Sequence, residues 1–280
     1  MSSLSIDIIT VNSTVAPLYI EPKFKSEMVT QALVWEELKI LDKKNNWFKV
    51  QQWDNYVAWI HNSYVVDKPV ELSFYYDSRD KDLTDVDFCQ GWYFLSNKSS
   101  ALYFIPFGCL VPIEASFFVN EDNDDIEFCH KIQFPDGREF YDYIDADKLI
   151  DSSNPMKNHR LSDLLDSQLG IPYLWGGKTS FGYDCSGFVQ TILKLRGVNF
   201  PRDCSEQVKS PLLKKINLSD AEIGDLIFFE ENGNIIHVGM VYDNDTFYHC
   251  DGYVRNESIS SMRSNLKSKF HSIHRIKKWN

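Results

Sequence analysis

Residues 182–188 read Gly-Tyr-Asp-Cys-Ser-Gly-Phe, and this stretch decides how the second half of the chain folds. We predict that Cys185 begins a helix, with Gly197 placed where a helix C-cap is expected. The apolar side chains between them share one helical face: Phe188, Val189, Ile192 and Leu193. The free N–H groups and the positive dipole end of a helix N-terminus favour a thiolate, which is nucleophilic. The stretch therefore predicts a cysteine nucleophile.

The size and charge of the chain limit what it can be. Its 280 residues exceed one typical domain, so two or three domains are expected. The net charge of −11 argues against general nucleic-acid binding. Apolar runs stay well short of the ~18 residues that a membrane span needs. We therefore expect neither a nucleic-acid partner nor a membrane span. A monomer is also expected, although neither charge nor hydropathy decides the oligomeric state.

The cysteines point to a reducing compartment. They are scattered and form no CxxC pair, which disfavours both zinc and a disulfide framework. The N-terminus lacks the basic and apolar regions of a signal peptide. We expect a cytoplasmic protein; the periplasm or secretion is the alternative, if an export signal was removed. The six cysteines are Cys89, Cys109, Cys129, Cys185, Cys204 and Cys250.

Three domains are predicted along the chain. Residues 1–68 alternate apolar and polar positions in short strands, which is typical of a small antiparallel barrel. Residues 69–150 are again strand-like, and a second barrel is expected there. Residues 151–280 begin with helical patterns and continue with a strand meander, so we predict an α+β domain.

Two histidines complete a candidate catalytic set. His237 lies in the middle of one predicted strand, and His249 lies twelve residues later in the next. A hairpin between the two strands would bring both rings to one face, where His249 would fix the tautomer of His237. A triad of Cys185, His237 and His249 is the result. Taken alone, His237 is better interpreted as a hydrogen-bonded core residue.

The other cysteines are assigned no chemistry. Cys204 repeats the Asp-Cys-Ser pattern without the apolar helix that follows Cys185, so we interpret it as structural or incidental. Cys250 follows His249 on a strand and should point the opposite way. The three cysteines before residue 150 are interpreted as small buried apolar residues.

The region of residues 160–278 resembles the NlpC/P60 family of papain-like bacterial cell-wall peptidases. The matching runs agree in order and spacing: residues 170–177, 183–188, 201–202, 224–229 and 237–239, with Gln207 and His249. The resemblance implies that Cys185 is the nucleophile, His237 the base and His249 the polar third member.

The same resemblance assigns the surroundings of the thiol. The backbone N–H of Cys185 would help to bind the tetrahedral oxyanion. Tyr173 would line the site near the sulfur, with core packing as the alternative interpretation of this residue. No metal or cofactor is required by this chemistry.

The N-terminal strands resemble bacterial SH3-like modules, through Gln31, Glu36, Trp47 and the pair Tyr56 and Trp59. SH3-like modules ahead of such a catalytic domain are similar to a subgroup that cleaves murein stem peptides. These enzymes cut the γ-D-glutamyl–diamino acid bond of peptides with a free N-terminal L-Ala. Murein stem peptides are therefore the expected partners, in cell-wall recycling or turnover.

The resemblance also implies a pocket for the substrate's amine. Asp184 and Ser186 would hold it from the catalytic domain, and Glu36 would do so from the first barrel. Tyr64 or Tyr56 would supply a hydroxyl; the sequence leaves this choice open. A buried ammonium needs such carboxylate and hydroxyl partners.

Two alternative functions stay open at this stage. The chain could be a cell-wall or peptide-binding protein with an inactive papain-like domain. It could also be an acyl or amide transferase that uses the same thioester. All three triad positions hold competent residue types, which favours the peptidase.

Overall fold

The computed structural model describes residues 8–67, 86–89, 93–96, 102–120, 126–142, 149–151 and 161–277. The chain divides into two compact units, Met1–Lys157 and Asn158–Asn280. The finer division into 1–68, 69–150 and 151–280 stays a prediction. Of the helices in the described ranges, none is both long and apolar enough to cross a bilayer.

The first unit begins with a seven-stranded antiparallel sheet. Its strand order is β3-β2-β6-β5-β4-β1-β7, and the 3-10 turn Asn62–Tyr64 precedes β7. The strands are β1 (Ile8–Val11), β2 (Val15–Tyr19), β3 (Met28–Leu33), β4 (Glu37–Lys44), β5 (Trp47–Gln51), β6 (Val57–His61) and β7 (Val65–Val66).

Strands β1 to β6 all contribute side chains to one core. Ile9 of β1, Leu18 of β2, Ala32 of β3, Val50 of β5 and Ile60 of β6 are buried in the same cluster. The sheet therefore folds over a single apolar interior, as the alternation in the sequence predicts. Its strand order is nevertheless open, since β3 and β7 stand at its two ends, so the closed first barrel predicted from the sequence is not confirmed.

The rest of the first unit forms two further antiparallel sheets. One has the order β13-β12-β11-β8-β14, and the other pairs β10 with β9. The second SH3-like barrel predicted over 69–150 is not confirmed by this arrangement, and part of that range lies outside the described residues. The strands are β8 (Val86–Cys89), β9 (Tyr93–Ser96), β10 (Leu102–Ile105), β11 (Leu110–Asn120), β12 (Ile126–Gln133), β13 (Glu139–Asp142) and β14 (Leu149–Asp151).

Trp35 joins the first sheet to the strands that follow it within this unit. Its backbone has a φ of 68°, an uncommon conformation for a bulky residue. The indole N–H donates to the carbonyl oxygen of Gln133 at 2.9 Å, and the ring packs against Phe134 with centroids 5.0 Å apart. Trp35 lies in one buried cluster with Val34 and Val111. These contacts compensate for the unfavourable backbone conformation.

The second unit has a six-stranded antiparallel sheet with helices packed against it. The sheet order is β17-β22-β18-β19-β20-β21, and the hairpin of β15 and β16 stands apart. The strands are β15 (Lys178–Thr179), β16 (Gly182–Tyr183), β17 (Leu213–Ile216), β18 (Leu226–Glu231), β19 (Asn234–Val241), β20 (Thr246–Asp251), β21 (Tyr253–Ser258) and β22 (Phe270–Ile276). The helices are α1 (Leu161–Asp166), α2 (Cys185–Leu195), α3 (Cys204–Gln207) and α4 (Ser264–Lys267), with a 3-10 turn at Leu218–Asp220.

Helix α2 is bounded by caps that the sequence specifies. Asp184 is its N-cap and accepts the backbone N–H of Gly187. At the other end, Gly197 has a φ of 73°, and its N–H donates to the carbonyl of Lys194 at 2.9 Å. The N–H of Val198 donates to Leu193, which completes a Schellman motif. The predicted helix start at Cys185 and its stop near Gly197 are both confirmed.

The predicted strand meander is also present. Strands β18, β19 and β20 pair antiparallel in sequence order, and α2 packs against β19 and β20. The buried face of α2 includes Phe188, Val189, Ile192 and Leu193, which are the residues the helical spacing indicated. The N-terminus of α2 is thereby held against the two strands that carry the histidines.

Gly187 lets the first turn of α2 approach the preceding loop. A Cβ at this position would lie 2.1 Å from the carbonyl oxygen of Gly177 and 3.0 Å from Oδ1 of Asp184. The first contact is with backbone, which cannot rotate away. The close approach explains why glycine follows Ser186 in the motif.

We predict that Gly187→Ala destabilises the second unit although it removes a helical glycine. Helix propensity favours alanine by about 1 kcal/mol, but forcing extra volume into a packed site costs about 1–3 kcal/mol. The helix start must also shift, so alkylation of Cys185 should change. Chemical denaturation and iodoacetamide kinetics on the full chain measure both effects.

Gly233→Ala is the control for this prediction. Gly233 lies in a hairpin turn with a φ of 81°, and a Cβ there has no atom within 4 Å. This variant should lose some stability from its backbone conformation while Cys185 reacts at the wild-type rate. A Gly187→Ala protein as stable as the wild type would contradict the packing argument.

Candidate active site

His237 and His249 meet across neighbouring strands. Nε2 of His237 lies 2.8 Å from Nδ1 of His249, within hydrogen-bond distance. In the register of β19 and β20, Met240 stands opposite Tyr248, which makes the two histidines diagonal neighbours on one face. The hairpin that the sequence predicted does bring the two rings together.

Gly239 provides the space for this contact. A Cβ at Gly239 would lie 2.8 Å from the carbonyl oxygen of Tyr248 and 3.2 Å from Cβ of His249. The side-chain-free position allows β19 and β20 to approach closely beside the histidine pair. In the run His237-Val238-Gly239, the first residue therefore supplies the functional imidazole, and the glycine leaves the space that His249 occupies.

His249 is neutral in the folded protein. Its side chain is 0% exposed, and burial followed by the neighbouring His237 lowers the pKa of His249 to about 3. A neutral imidazole carries a single N–H, so one of its nitrogens donates and the other accepts. His249 can therefore accept a hydrogen bond from a protonated His237, which orients that ring and stabilises its charge.

Cys185 lies at the start of α2 and is 7% exposed. A second thiol, Cys204, and burial raise the pKa of Cys185 well above its ordinary value, while the charge and hydrogen bonding of His237 lower it by less. Both effects oppose that of the helix N-terminus, from which the sequence predicted a thiolate, and the thiolate stays a prediction. His237 is the group placed to accept the proton of the thiol.

Cys204 is part of this site, contrary to the sequence interpretation. Its Sγ lies 3.4 Å from the carbonyl oxygen of Ile235, two residues before His237 on β19. The hydrogen bond that it shares with Cys185 lowers the pKa of Cys204. The amide of Gln207 donates to the carbonyl of Ser186 at 3.1 Å, which ties α3 to the first turn of α2. Cys204 is therefore held beside the candidate nucleophile.

Two other cysteines match their predicted structural roles. Cys109 is fully buried in the apolar cluster around Trp35. Cys250 is buried, and its thiol donates to the carbonyl of Tyr183 at 3.0 Å. Burial, followed by the neighbouring Cys185, raises the pKa of Cys250 to about 12, so this thiol stays protonated. The side chains of Cys89 and Cys129 lie outside the described residues.

Asp184 is surrounded by donors from the protein itself. Its Oδ1 accepts from the N–H of Gly187 at 2.7 Å, the hydroxyl of Ser186 at 3.2 Å and Nη1 of Arg202 at 2.9 Å. Its Oδ2 accepts from the N–H of Gly176 at 3.0 Å and from Nη2 of Arg202 at 2.6 Å. Five donors thus surround a carboxylate that offers about four lone-pair positions.

These contacts give Asp184 and Ser186 structural roles. The buried Arg202 side chain neutralises Asp184, and Nη1 of Arg202 also donates to Ser186 at 3.0 Å. Such an ion pair fixes the helix start, because removing one partner would leave a buried charge uncompensated. The binding of a substrate amine by Asp184 and Ser186 stays a prediction. Arg202 is the residue that the sequence analysis missed, although it matched the family motif as part of 201–202.

Tyr173 lies within the electrostatic range of the Cys185 thiol, and its place beside the sulfur stays a prediction. Its side chain is partly exposed, and its backbone N–H donates to the carbonyl of Gly252 at 2.8 Å. Burial, then the charges of Cys185 and Asp184, raise the pKa of Tyr173 well above its ordinary value. The phenol therefore stays protonated, so its O–H is a hydrogen-bond donor.

The three candidates of the first unit lie near one another within that unit. The N–H of Val11 donates to the carbonyl of Glu36 at 3.0 Å, and the N–H of the next residue donates to the carbonyl of Tyr64 at 2.8 Å. The Gln52 amide lies 3.4 Å from Oε2 of Glu36, and the Gln52 N–H donates to the carbonyl of Tyr56. All three side chains are half-buried. Their role toward the substrate stays a prediction.

Each of the two units contains a match to a known protein family. Residues 170–275 match the NlpC/P60 family, and residues 18–64 match the bacterial dipeptidyl-peptidase Sh3 domain. A crystal structure of an NlpC/P60 family protein from Bacillus cereus has a TM-score of 0.73 to this structure. That likeness covers 97% of this chain and 100% of the other at 19% identity, and it shows a shared fold.

Two curated relatives extend the comparison. A γ-D-glutamyl-L-lysine dipeptidyl-peptidase from Bacillus cereus is 26% identical over 253 residues, which are 84% of this chain and 70% of the relative. A probable endopeptidase NlpC homolog from Haemophilus influenzae is 33% identical over 140 residues, which are 50% of this chain and 74% of the relative.

A thiol at a helix N-terminus, facing a pair of histidines on an antiparallel sheet, is an arrangement of the cysteine peptidase class of hydrolases. The family match and the Haemophilus influenzae relative agree with this class. The chain belongs to the NlpC/P60 family, with a bacterial SH3 domain in its N-terminal unit.

We predict that Cys204→Ala increases the reactivity of Cys185 at neutral pH. The contact with Cys204 is the largest influence raising the pKa of Cys185, so its removal should lower that pKa and increase the thiolate fraction. The pH dependence of iodoacetamide alkylation, with the modified peptide identified by mass spectrometry, measures the change.

Cys250→Ala serves as the comparison, because it also removes a buried thiol from the same unit. Its effect on the alkylation profile of Cys185 should be smaller. An unchanged or upward-shifted profile for Cys204→Ala would contradict the assigned contact.

Proposed function

We propose that the chain is a cysteine endopeptidase that hydrolyses the γ-D-glutamyl–diamino acid bond of murein stem peptides with a free N-terminal L-Ala. The observation that carries this proposal is the 2.8 Å contact of His237 with His249, together with the influence of His237 on the pKa of the Cys185 thiol. These contacts supply a nucleophile, a base and a group that orients the base.

The proposed reaction uses each of the three side chains in turn. His237 accepts the thiol proton of Cys185 as the sulfur attacks the carbonyl carbon of the scissile amide. The imidazolium then protonates the leaving amine, and a thioester remains on Cys185. Neutral His237 next activates a water molecule that hydrolyses the thioester. His249 accepts a hydrogen bond from His237 whenever that ring is charged.

The oxyanion is stabilised by the start of α2. The N–H of Cys185 is among the first N–H groups of the helix, which have no intrahelical acceptor, and the dipole there favours negative charge. Tyr173 supplies its O–H as the second donor in this proposal. The cap and ion pair of Asp184 hold this helix terminus in position before the substrate arrives.

The substrate class is supported by the relatives and by the N-terminal unit. The Bacillus cereus relative carries the name of a γ-D-glutamyl-L-lysine dipeptidyl-peptidase and aligns with 84% of this chain. In our proposal Glu36 binds the free amine of the substrate, and Tyr64 or Tyr56 adds a hydroxyl. A carboxylate is needed there because a desolvated ammonium is costly without a charged partner. We also propose that the enzyme acts on recycled peptides in the cytoplasm.

We expect the protein to release a free diamino acid from L-Ala-γ-D-Glu-diaminopimelate and from the L-lysine analogue. Cys185→Ala should abolish this release, with a loss on the order of a thousandfold or more. Liquid chromatography with mass spectrometry measures both products, and titration calorimetry with Cys185→Ala tests whether the peptide still binds.

The outcomes separate the three candidate functions. Release that depends on Cys185 supports the peptidase. Binding without release in the wild type would establish a binding module instead. An amide product in the presence of an added amine, at the expense of hydrolysis, would establish a transferase.

We predict that Glu36→Gln raises KM for a peptide with a free N-terminal amine, by about tenfold, because a charge-assisted hydrogen bond becomes a neutral one. The kcat should change less, since the amine lies away from the scissile bond. Steady-state kinetics with the free and the N-acetylated peptide measure the effect.

Glu37→Gln is the matched control, because Glu37 is the exposed neighbour of Glu36. It should leave both constants unchanged. Equal cleavage of free and N-acetylated peptides by the wild type would overturn the amine pocket while leaving the peptidase assignment intact.

A further inference from the structure

Glu257 lies next to His249, on the side of that ring that faces away from His237. Its Oε2 lies 3.4 Å from Nε2 of His249, on the side opposite to His237. In the register of β20 and β21, Arg255 stands opposite His249 and Glu257 opposite Phe247, so His249 and Glu257 are diagonal neighbours on one face. The carboxylate is nearly buried, at 9% side-chain exposure.

The tautomer of His249 follows from its contacts. When His237 is protonated, its Nε2–H donates to Nδ1 of His249, so that nitrogen must be bare. The single proton of neutral His249 then sits on Nε2, in a fully buried ring. Within residues 161–277, this nitrogen makes no hydrogen bond of good geometry. A buried N–H without an acceptor is costly, and the Glu257 carboxylate is the acceptor within reach.

We propose that Glu257 is a positioning residue of the active site, whose carboxylate holds His249 in the Nε2–H tautomer and thereby supports the protonated form of His237. This inference rests on the proposed peptidase function. The line of contacts runs from Cys185 through His237 and His249 to Glu257. The 3.4 Å separation shortens in this proposal when His237 becomes charged, as catalytic hydrogen bonds do on substrate binding.

Glu257 is itself held in place by cations. Nε of Arg263 donates to its Oε2 at 2.8 Å, the Arg263 backbone N–H donates to its Oε1 at 2.7 Å, and Arg255 lies 3.7 Å away. Arg263 also pairs with Asp251 at 2.6 Å. The charged groups around His249 are thus Asp251, Arg255, Glu257 and Arg263. Of these, Glu257 lies within 3.4 Å of the ring nitrogen whose proton matters.

Glu257→Gln is the informative substitution, because it keeps the shape but removes the charge. A glutamine amide can turn an N–H toward Nε2 of His249, which would favour the opposite tautomer. Nδ1 would then be a donor facing His237, and the imidazolium would lose its acceptor. We expect kcat to fall by about tenfold or more, by analogy with loss of an orienting carboxylate, with KM little changed.

A purely structural role is tested by Asp251→Asn. This variant removes a negative charge from the same network and one partner of Arg263, but it leaves the contact of Glu257 with His249. The Asp251 carboxylate also acts on both histidines from a distance, so kcat should fall, but by less than in Glu257→Gln. Equal losses of kcat in Asp251→Asn and Glu257→Gln would overturn the proposal, since the network as a whole would then be responsible.

The tautomer can be observed directly in the wild-type protein. Long-range ¹H–¹⁵N correlation spectra of histidine-labelled protein distinguish Nδ1–H from Nε2–H rings, and comparison with His249→Asn assigns the signal. We expect the Nε2–H form for His249 in the wild type and its loss in Glu257→Gln. A wild-type ring protonated on Nδ1 would overturn the proposal, even if Glu257→Gln failed to fold.

These measurements separate the two proposals. A wild-type protein that cleaves no murein peptide would contradict the proposed function, and the spectra would still decide the role of Glu257. A wild-type protein that cleaves the peptide, with Glu257→Gln equally active and its His249 tautomer unchanged, would overturn the positioning role alone.

Discussion

The contact between His237 and His249 depends on the pairing of β19 with β20. The two rings meet at 2.8 Å because Met240 stands opposite Tyr248 and because Gly239 leaves space beside His249. A shift of either strand by one residue would turn one imidazole to the opposite face of the sheet. The remaining elements of this unit keep that register and bring the sulfur to it. Helix α2 packs on these two strands and delivers Cys185 from its first turn.

The start of α2 is stabilised by a buried ion pair. Asp184 caps the helix and pairs with Arg202, which also reaches Ser186. Charges at this depth are costly unless their hydrogen bonds are satisfied, and both oxygens of Asp184 are. The same motif therefore supplies the nucleophile and the scaffold that aims it. Cys204 enters the site through this scaffold, because Gln207 ties α3 to the carbonyl of Ser186.

The elements of the second unit were predictable because local signals agree with the tertiary fold. The apolar spacing after Cys185 and the glycine at 197 bound α2, and the apolar runs around His237 and His249 indicate adjacent strands. Contacts between distant segments were not predictable in this way. Local patterns do not encode the loops and strand registers that bring distant residues together. Three features depend on these: the contact of Cys204 with Cys185, the five donors around Asp184 and the position of Glu257. In the first unit, the alternation of apolar and polar residues predicts the strands. It does not predict whether the sheet closes into a barrel, because closure depends on pairing between distant strands.

Because of Trp35, the N-terminal sheet depends on later residues of its unit and cannot be moved to another protein unchanged. Its indole donates to Gln133, and its ring packs on Phe134, so part of the sheet's apolar surface is covered by chain that comes a hundred residues later. A fragment that ended after β7 would expose this ring to water and lose its acceptor, while the strained backbone at Trp35 would have nothing to compensate for it. An SH3 region transferred alone to another protein would thus expose an aromatic surface that favours aggregation.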